Sequence, residues 1–564
     1  MNNYFFKAIA AVSSIMLNMA VCQAQTFAPQ AWGDWQTYGE QKGCGMYVNP
    51  VLPGDFSDID CIEHDGYYYA ISSTFQFEPG MAILRSADMV NWSIYSHAVP
   101  DVSQISEAMT SHVMDRYARG IWAGAIRWCN GRFHVYFGCP DEGMFMTTAP
   151  KIDGPWTPLH KMNIGGGWDD CCPLFDDDGQ NYFVATHFAD GYKTYVFRLS
   201  DDGKTVDRES AVLINEGYGR EANKLYKFNG KYYHLYSEDK DGGRYLMMQR
   251  ADNPMGPYTE KRRLSHTQRE WHEPNQGGYL QDKDGNWFFL THHGSGDWGG
   301  RQVSLLPVTW IDGWPVIGNP DDDGIGRMVL NCRKPQTVRS DNGSHASSRR
   351  YVGFGLPDWE WNYHPVKERY VRTKKSLALH ASVPLRENDL LKASNTLTMR
   401  SWQTPHNVAT VCLDFSSAAD GQRSGMCHFS ASWSEFGVKQ VGSSSVLYYR
   451  DNMGREVNVQ ADLNKMVKKK VYLLSSWDLS GLCHYFWSLD GCKWTDAGVT
   501  YQMEWGNYRG DRLELYTYNN ICSAGEAIFT KFIYESSDEA AVVNVFGKSL
   551  VPDMIADASI IEHN

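Results

Sequence analysis

One short phrase recurs five times in the first three hundred residues: an Asx-Gly pair followed directly by aromatic residues. The copies are Asp65-Gly66 before Tyr67-Tyr68-Tyr69, Asn130-Gly131 before Phe133, Asp178-Gly179 before Tyr182-Phe183, Asn229-Gly230 before Tyr232-Tyr233, and Asp284-Gly285 before Trp287-Phe288. Asn-Gly and Asp-Gly favour the positive backbone angles of a tight hairpin, and aromatics suit a pleated, half-buried strand. Each copy therefore marks one β-hairpin. Successive glycines stand 65, 48, 51 and 55 residues apart, and a recurrence near every fifty residues indicates a propeller or solenoid rather than a single sandwich. Five hairpins predict five blades. A second turn signal follows in every unit: Asp88 to Trp92, Gly154-Pro155-Trp156, Ser200 to Gly203, Gly256-Pro257-Tyr258 and Gly313-Trp314-Pro315. Two turns per unit predict four strands per blade.

The repeat stops after Val316, and the stretch 333–350 is polar and basic with no hydrophobic period, which reads as a linker. Beyond it, alternating runs such as Thr396-Leu397-Thr398-Met399, Val408 to Leu413, Val446-Leu447-Tyr448-Tyr449 and Arg512 to Tyr516 predict a separate β-sandwich. At 564 residues the chain exceeds what one core organises. The expected organisation is all-β: a leader over 1–24, a five-bladed β-propeller over 25–332, the linker, and a C-terminal β-sandwich over 351–564. The leader is read from Lys7, the apolar run from Ala8 to Val21, and Cys22-Gln23-Ala24, a secretory signal cut after Ala24. Export to the periplasm or medium follows. A lipoprotein anchored through Cys22 is the weaker alternative, because Met19-Ala20-Val21 makes a poor lipobox. No other segment is long and apolar enough to span a membrane.

The formal net charge of -13 argues against a nucleic-acid partner, which needs a lysine and arginine surface to release counterions. A neutral or cationic ligand fits better. The 13 cysteines are scattered, with no Cys-x-x-Cys pair of the zinc-ribbon kind, and are expected as buried thiols or a few bridges. Cys171-Cys172, between Asp170 and Pro173, suggests tight packing rather than metal chelation.

Three places carry acids that look wrong for a solvated turn. In Asp55-Phe56-Ser57-Asp58-Ile59-Asp60-Cys61, acids alternate with apolar residues just before the first hairpin; on a strand, Asp58 and Asp60 would share one face. Trp168-Asp169-Asp170 leads into the third hairpin, and Arg220-Glu221-Ala222 into the fourth. Equivalent positions in three repeats converge when the repeats turn about one axis. Clustered carboxyls raise some pKa values by repulsion, leaving one protonated as a donor while another stays ionised as a base. The competing reading is that propeller acids cap turns and hold blades together.

At these residues the sequence resembles glycoside hydrolase family 43, five-bladed propeller enzymes that remove arabinofuranose or xylose from plant polysaccharides. Asn49-Pro50-Val51-Leu52-Pro53-Gly54-Asp55-Phe56-Ser57-Asp58 looks like the opening motif, whose last Asp is the general base, and this puts Asp58 in that role. Ser73-Thr74-Phe75 resembles the strand whose Phe borders the sugar, and Gly120-Ile121-Trp122-Ala123 the Trp-Ala-Pro motif, so Phe75 and Trp122 would line the pocket. Asp170 lines up with the Asp that orients the acid and tunes its pKa, with Asp169 beside it as an alternative. Glu221, before Lys224-Leu225-Tyr226, lines up with the general acid, and Gly300-Arg301-Gln302-Val303 nominates Arg301 as a substrate contact. His292, next to His293, matches a central histidine that in some members supports a calcium ion or its water; no cofactor is otherwise implied, and a structural calcium stays open. Trp359-Glu360-Trp361-Asn362 and Ser488 to Trp494 look like the C-terminal sandwich of many members. Gly124 stands where the motif's proline would be, which would loosen a turn beside the pocket, and Cys171 replaces the proline after Asp170.

The mechanism implied is hydrolysis with inversion. Glu221 would protonate the leaving oxygen while Asp58 deprotonates water across a gap of about 6.5 to 9.5 Å. Asp170, near Glu221, would keep the acid protonated by its own negative charge. The implied partner is a plant cell-wall polysaccharide or oligosaccharide. Phe75 and Trp122 as core rings, Arg301 as partner of a turn acid and His292 as a core histidine are the bland alternatives. A binding propeller that had lost catalysis would lack one acid, and all three are present. A sialidase-like propeller would carry the Ser-x-Asp-x-Gly-x-x-Trp box in several blades, whereas only the shorter Ser488 to Trp494 variant occurs. The sugar stays open between arabinose, xylose and, in a divergent member, another such as galactose.

Overall fold

The computed structural model describes residues 45–537 apart from 241–242, 267–273, 294–295, 330, 340–347, 460–462 and 466, together with 544–545 and 548–549. The proposed leader and Cys22 lie outside the described residues.

Each Asx-Gly phrase joins the first two strands of a four-stranded antiparallel sheet, and there are five such sheets. Asp65-Gly66, Asn130-Gly131 and Asn229-Gly230 form two-residue turns with φ between 50° and 75° at both positions, the geometry that only Asx and Gly adopt at low cost. The other two copies sit in longer loops where only the glycine is left-handed. At Asp284-Gly285 the Asp282 carboxylate organises the loop by accepting from the Asp284 and Asn286 N–H groups (3.0 and 2.9 Å). The second turn signals lie between the third and fourth strands, and in blade five the signal runs on into the fourth strand, Trp314–Ile317. In the first blade Asp88 accepts from the N–H groups of Val90 and Asn91 (3.0 and 2.8 Å), which fixes that turn.

The first strands of the blades, Asp60–His64, Gly124–Cys129, Trp168–Phe175, Glu221–Phe228 and Pro274–Gln281, pack against one another in sequence, and the fifth returns to the first. They surround the axis. Each blade is made of strands from one stretch of the chain, interrupted in blade one only by Phe77–Glu78, and among the described residues no strand from either end of the chain completes the last blade. Ring closure comes instead from packing of blade five on blade one and from a ribbon in which Met46–Val48 pairs with Asn331–Arg333. Asn49 reinforces it, its side chain bonding both backbone groups of Leu305 at 2.9 Å.

The C-terminal part is a sandwich of two eight-stranded sheets. One of them takes its edge strand from the propeller: Phe77–Glu78 pairs with Glu360–Asn362. A single apolar core runs from blades one and five (Phe56, Leu84, Leu305) into the sandwich (Trp402, Phe529, Phe532). At the junction Glu360 is fully buried and bound by Arg400 (2.9 Å), Arg512 (2.5 Å) and, from blade one, His97 (3.0 Å). The 333–350 stretch is shorter as a linker than its composition suggests. Its ends belong to strands, Asn331–Arg333 and Ser348–Val352, and Gln336 is docked on blade five through Asp282 and Lys283. None of the eleven described cysteines forms a disulfide. Cys171 and Cys172 are both buried but face different clusters, and Arg127 donates to the Cys172 sulfur at 2.8 Å. Ser488 to Trp494 forms a turn held by the Asp490 carboxylate. Among the described residues no helix is long and apolar enough to cross a membrane.

Candidate active site

Three innermost strands share one irregularity. The pairing register shifts between Asp169 and Cys172 in blade three, Glu221 and Lys224 in blade four, and Pro274 and Gly277 in blade five. Asp170 (φ 48°) and Ala222 (φ 65°) are left-handed at these bulges, and Asp58 (φ 59°) is left-handed just ahead of blade one. A bulge re-aims a side chain that the pleat would otherwise point elsewhere. Each left-handed residue other than Gly or Asx costs about 1 to 2 kcal/mol, so Ala222 carries real strain beside Glu221. The alternation expected for Asp58 and Asp60 is therefore corrected. The strand begins only at Asp60, and the turn at Asp58 sends the two acids apart. Asp60 is fully buried, bonded to Arg127 (2.7 Å) and the Ile126 N–H (2.8 Å), and it joins blade one to blade two.

Asp58, Asp170, Glu221, Phe75, Trp122 and Arg301 all line one cavity of about 450 Å³ at the end of the axis, a volume within the range of small-ligand sites. Asp58 accepts from Arg301 Nη1 at 2.7 Å and from the Ser73 hydroxyl at 2.6 Å. Its backbone N–H donates to His292 Nδ1 at 2.6 Å, which leaves that nitrogen unprotonated and the imidazole neutral. His292 is buried under Asp58 and does not line the cavity; the His293 side chain lies outside the described residues. Arg301 turns one guanidinium edge to Asp58, and its buried Nε–H has no hydrogen-bond partner among the described residues. Phe75 (2% exposed) is bridged to Ile121 through both backbone groups, and half-buried Trp122 donates its indole N–H to the Ala118 carbonyl at 2.9 Å.

Glu221 pairs with Arg244, and 30% of its side chain stays open to the cavity. Burial is the leading cause that raises its carboxyl above the ordinary value; Arg244 and Arg301 pull it down and the Asp58 charge pushes it up. Asp170 accepts from Gln276 Nε2 at 2.9 Å and is pushed up to about 7 by burial and then by the Glu221 charge. Asp169 also borders the cavity. Burial and its neighbour Asp170 hold its carboxyl well above the carboxylate range, and one of its oxygens is buried without a partner. Asp170 is bonded by a side chain of blade five, whereas Asp169 has one oxygen left without a partner among the described residues. Gly124 does not loosen a turn. It opens the first strand of blade two, where a Cβ would stand 2.5 Å from the Tyr136 carbonyl oxygen, and its own carbonyl accepts from buried Lys224 at 3.0 Å.

Residues 47–315 match the family model for glycosyl hydrolases family 43, and residues 356–535 match the β-xylosidase C-terminal concanavalin A-like domain. The chain belongs to glycosyl hydrolase family 43. It is a glycosidase, built as the propeller and sandwich described above. Among its relatives, a β-xylosidase of Formosa agariphila is 27% identical over 91% of this chain and 93% of the relative. A putative β-xylosidase of Xylanibacter ruminicola is 35% identical over 61% of this chain and 63% of the relative. A non-reducing end α-L-arabinofuranosidase of Bacteroides ovatus is 26% identical over 50% and 54%. A solved xylan β-1,4-xylosidase of Bacillus halodurans shares the fold at a TM-score of 0.71 and 19% identity, covering 87% of this chain and 100% of that one.

In this family 43 hydrolase the sandwich reaches the cavity. Trp505 and Tyr508, from the loop between the strands Thr495–Gln502 and Arg512–Asn519, line it opposite the propeller residues. The Tyr508 ring meets Trp122 edge-on at 5.8 Å and lies 5.9 Å from the Arg301 guanidinium. Sequence reasoning missed both, together with Arg244, Gln276, Phe188 and Tyr192. The only available signal was a pair of aromatics in a loop of the sandwich, which packing against the propeller would explain equally well. Arg244 lies on the third strand of blade four, with no pattern to tie it to Glu221.

Proposed function

We propose that this hydrolase removes terminal β-D-xylosyl or α-L-arabinofuranosyl residues from plant cell-wall polysaccharides or oligosaccharides in a single displacement with inversion. The observation that carries this reading is that Asp58 and Glu221 enter one cavity from blades one and four in contrasting settings. Asp58 accepts hydrogen bonds from the Arg301 guanidinium and the Ser73 hydroxyl. Burial raises the Glu221 carboxyl above its ordinary value, the direction a proton donor needs. Asp58 takes a proton from water as the water attacks the anomeric carbon. Glu221 gives its proton to the glycosidic oxygen as the C–O bond breaks. Asp170 sits beside the acid, and its charge and that of Glu221 oppose one another, so the pair retains a proton as pH rises. Arg301 lines the cavity with its guanidinium on Asp58, where it holds the base and can meet a substrate hydroxyl. The names borne by the relatives, β-xylosidase and arabinofuranosidase, support the choice of sugars, and the presence of all three acids counts against a binding propeller without catalysis.

The test is turnover of nitrophenyl β-D-xyloside, α-L-arabinofuranoside and β-D-galactoside, with the first-formed anomer followed by NMR. Inverted product from one of the first two is expected, with Glu221→Gln and Asp58→Asn each inactive but folded. A retained anomer, or normal activity in either variant, would overturn the assignment. Galactoside turnover alone would move the substrate class.

Calcium is not part of this mechanism. The ion takes six to eight oxygen ligands, whereas the His292 imidazole offers none and its Nδ1 already accepts from the Asp58 N–H. EDTA treatment is expected to leave kcat/KM unchanged. Export is proposed on the apolar run and Ala24 cleavage site alone, and N-terminal sequencing of the mature protein tests it.

A further inference from the structure

Tyr218 has no packing role that accounts for it. The residue is 77% exposed, on the loop that leads into Glu221. Yet the loop is tightly held. Gly219 is left-handed at φ 66°, its carbonyl accepts from Arg244 Nη1 at 2.6 Å, and the other arm of the same guanidinium binds Glu221. The position of Tyr218 is thereby fixed relative to the proposed proton donor. On its inner side the ring meets Tyr192 edge-on, with centroids 5.4 Å apart and planes at 67°. Tyr192 is itself left-handed (φ 57°), on the turn after Phe188–Asp190 in blade three, and lines the cavity.

We propose that Tyr192 and Tyr218 form a binding face for the sugar on the leaving side of the scissile bond, and that this sugar is a pyranose of the polysaccharide backbone. The proposal rests on Glu221 being the acid. A proton donor must reach the bridging oxygen, so the leaving sugar lies on the donor's side and the attacking water on the side of Asp58. Tyr192 lies near Glu221 and Arg244, and Tyr218 meets Tyr192 from the loop that Arg244 holds at Gly219; the surroundings of Asp58 are Ser73, Arg301 and His292. A pyranose without an exocyclic carbon, as in a xylan chain, presents a C–H face that covers a flat ring, and an edge-to-face pair of rings offers two such surfaces at an angle. Removal of either terminal sugar, xylose or arabinose, from a xylan chain leaves the same backbone pyranose on this side, so the inference does not depend on which one is cleaved.

The experiment compares two substrates of one terminal sugar: the glycosyl fluoride, whose leaving group is too small to touch the rings, and the matching oligosaccharide, xylobiose or arabinofuranosyl-xylotriose. Tyr218→Ala is expected to lower kcat/KM on the oligosaccharide about tenfold, chiefly through KM, with the fluoride unaffected. Tyr218→Phe, which keeps the ring, is expected to behave as the parent enzyme. Equal loss on both substrates, or no loss on the oligosaccharide, would overturn the proposal. Calorimetric binding of xylotriose to the Glu221→Gln protein, with and without Tyr218→Ala, reads the same face without turnover; equal affinity would also overturn it. Failure of the parent enzyme to hydrolyse either fluoride would instead strike at the hydrolase assignment.

Discussion

Arg244 sets how strongly Glu221 holds its proton, and its removal makes a quantitative test. The guanidinium contacts the Glu221 carboxylate directly and is the first of the charges that lower its pKa against the effect of burial. An opposite charge in contact lowers a carboxyl pKa by about one to three units, and because a third of the Glu221 side chain and a quarter of Arg244 remain open to solvent, the lower end applies, about one unit. A general acid works only while protonated, so activity falls as pH rises through its pKa. Removing Arg244 takes away a force that favours the charged form. The pKa rises, and the alkaline limb of kcat/KM should move upward by about one pH unit in Arg244→Met. In Arg244→Lys the charge remains and the limb should stay within a few tenths of a unit of the parent, about the effect of a weakened contact. The substrate must have a poor leaving group, such as xylobiose, because nitrophenol departs with little help from an acid and would hide the limb. An unmoved limb in Arg244→Met would refute the reasoning. Equal shifts in both variants would mean that the lost tie to the Gly219 carbonyl, not the charge, is what matters.

Other outcomes follow from the junction and the loop. Trp505→Ala and Tyr508→Ala are each expected to raise KM about three- to tenfold with the propeller intact, read by steady-state kinetics beside circular dichroism; unchanged KM would mean that the sandwich only covers the cavity. Glu360→Gln leaves the Arg400 and Arg512 guanidiniums buried without their countercharge, and should cost about 3 to 5 kcal/mol of stability by denaturant unfolding. A loss below about 1 kcal/mol would show that the junction is held by its apolar core alone. Gly124→Ala should destabilise the protein and impair activity, since its methyl group would meet the Tyr136 carbonyl; a folded, fully active variant would refute that packing role.

The five blades were legible because their signals are local. An Asx-Gly turn needs only its own residues to reach positive φ, and repetition at a nearly fixed spacing tells how many units there are. The sequence could not tell that the one phrase makes two-residue turns in three blades and longer loops in two, because that depends on where pairing with the neighbouring strand begins. Asp58, Asp170 and Glu221 were legible from motif and register, and so were Phe75, Trp122 and Arg301. Their common orientation was not. The period of two assigned Asp58 and Asp60 to one face, whereas a left-handed residue and the bulges at Asp170 and Ala222 redirect the side chains, a choice made by packing against adjacent blades. Arg244 on Glu221, Gln276 on Asp170, and Trp505 and Tyr508 in the cavity wall bring together residues 23 to several hundred positions apart. The sequence alone thus determined the repeat, the architecture and the proposed reacting groups. Tertiary structure decided which way those groups face, which charges tune them and that the second domain helps to build the pocket, because each of these is a contact between distant segments that no local pattern encodes.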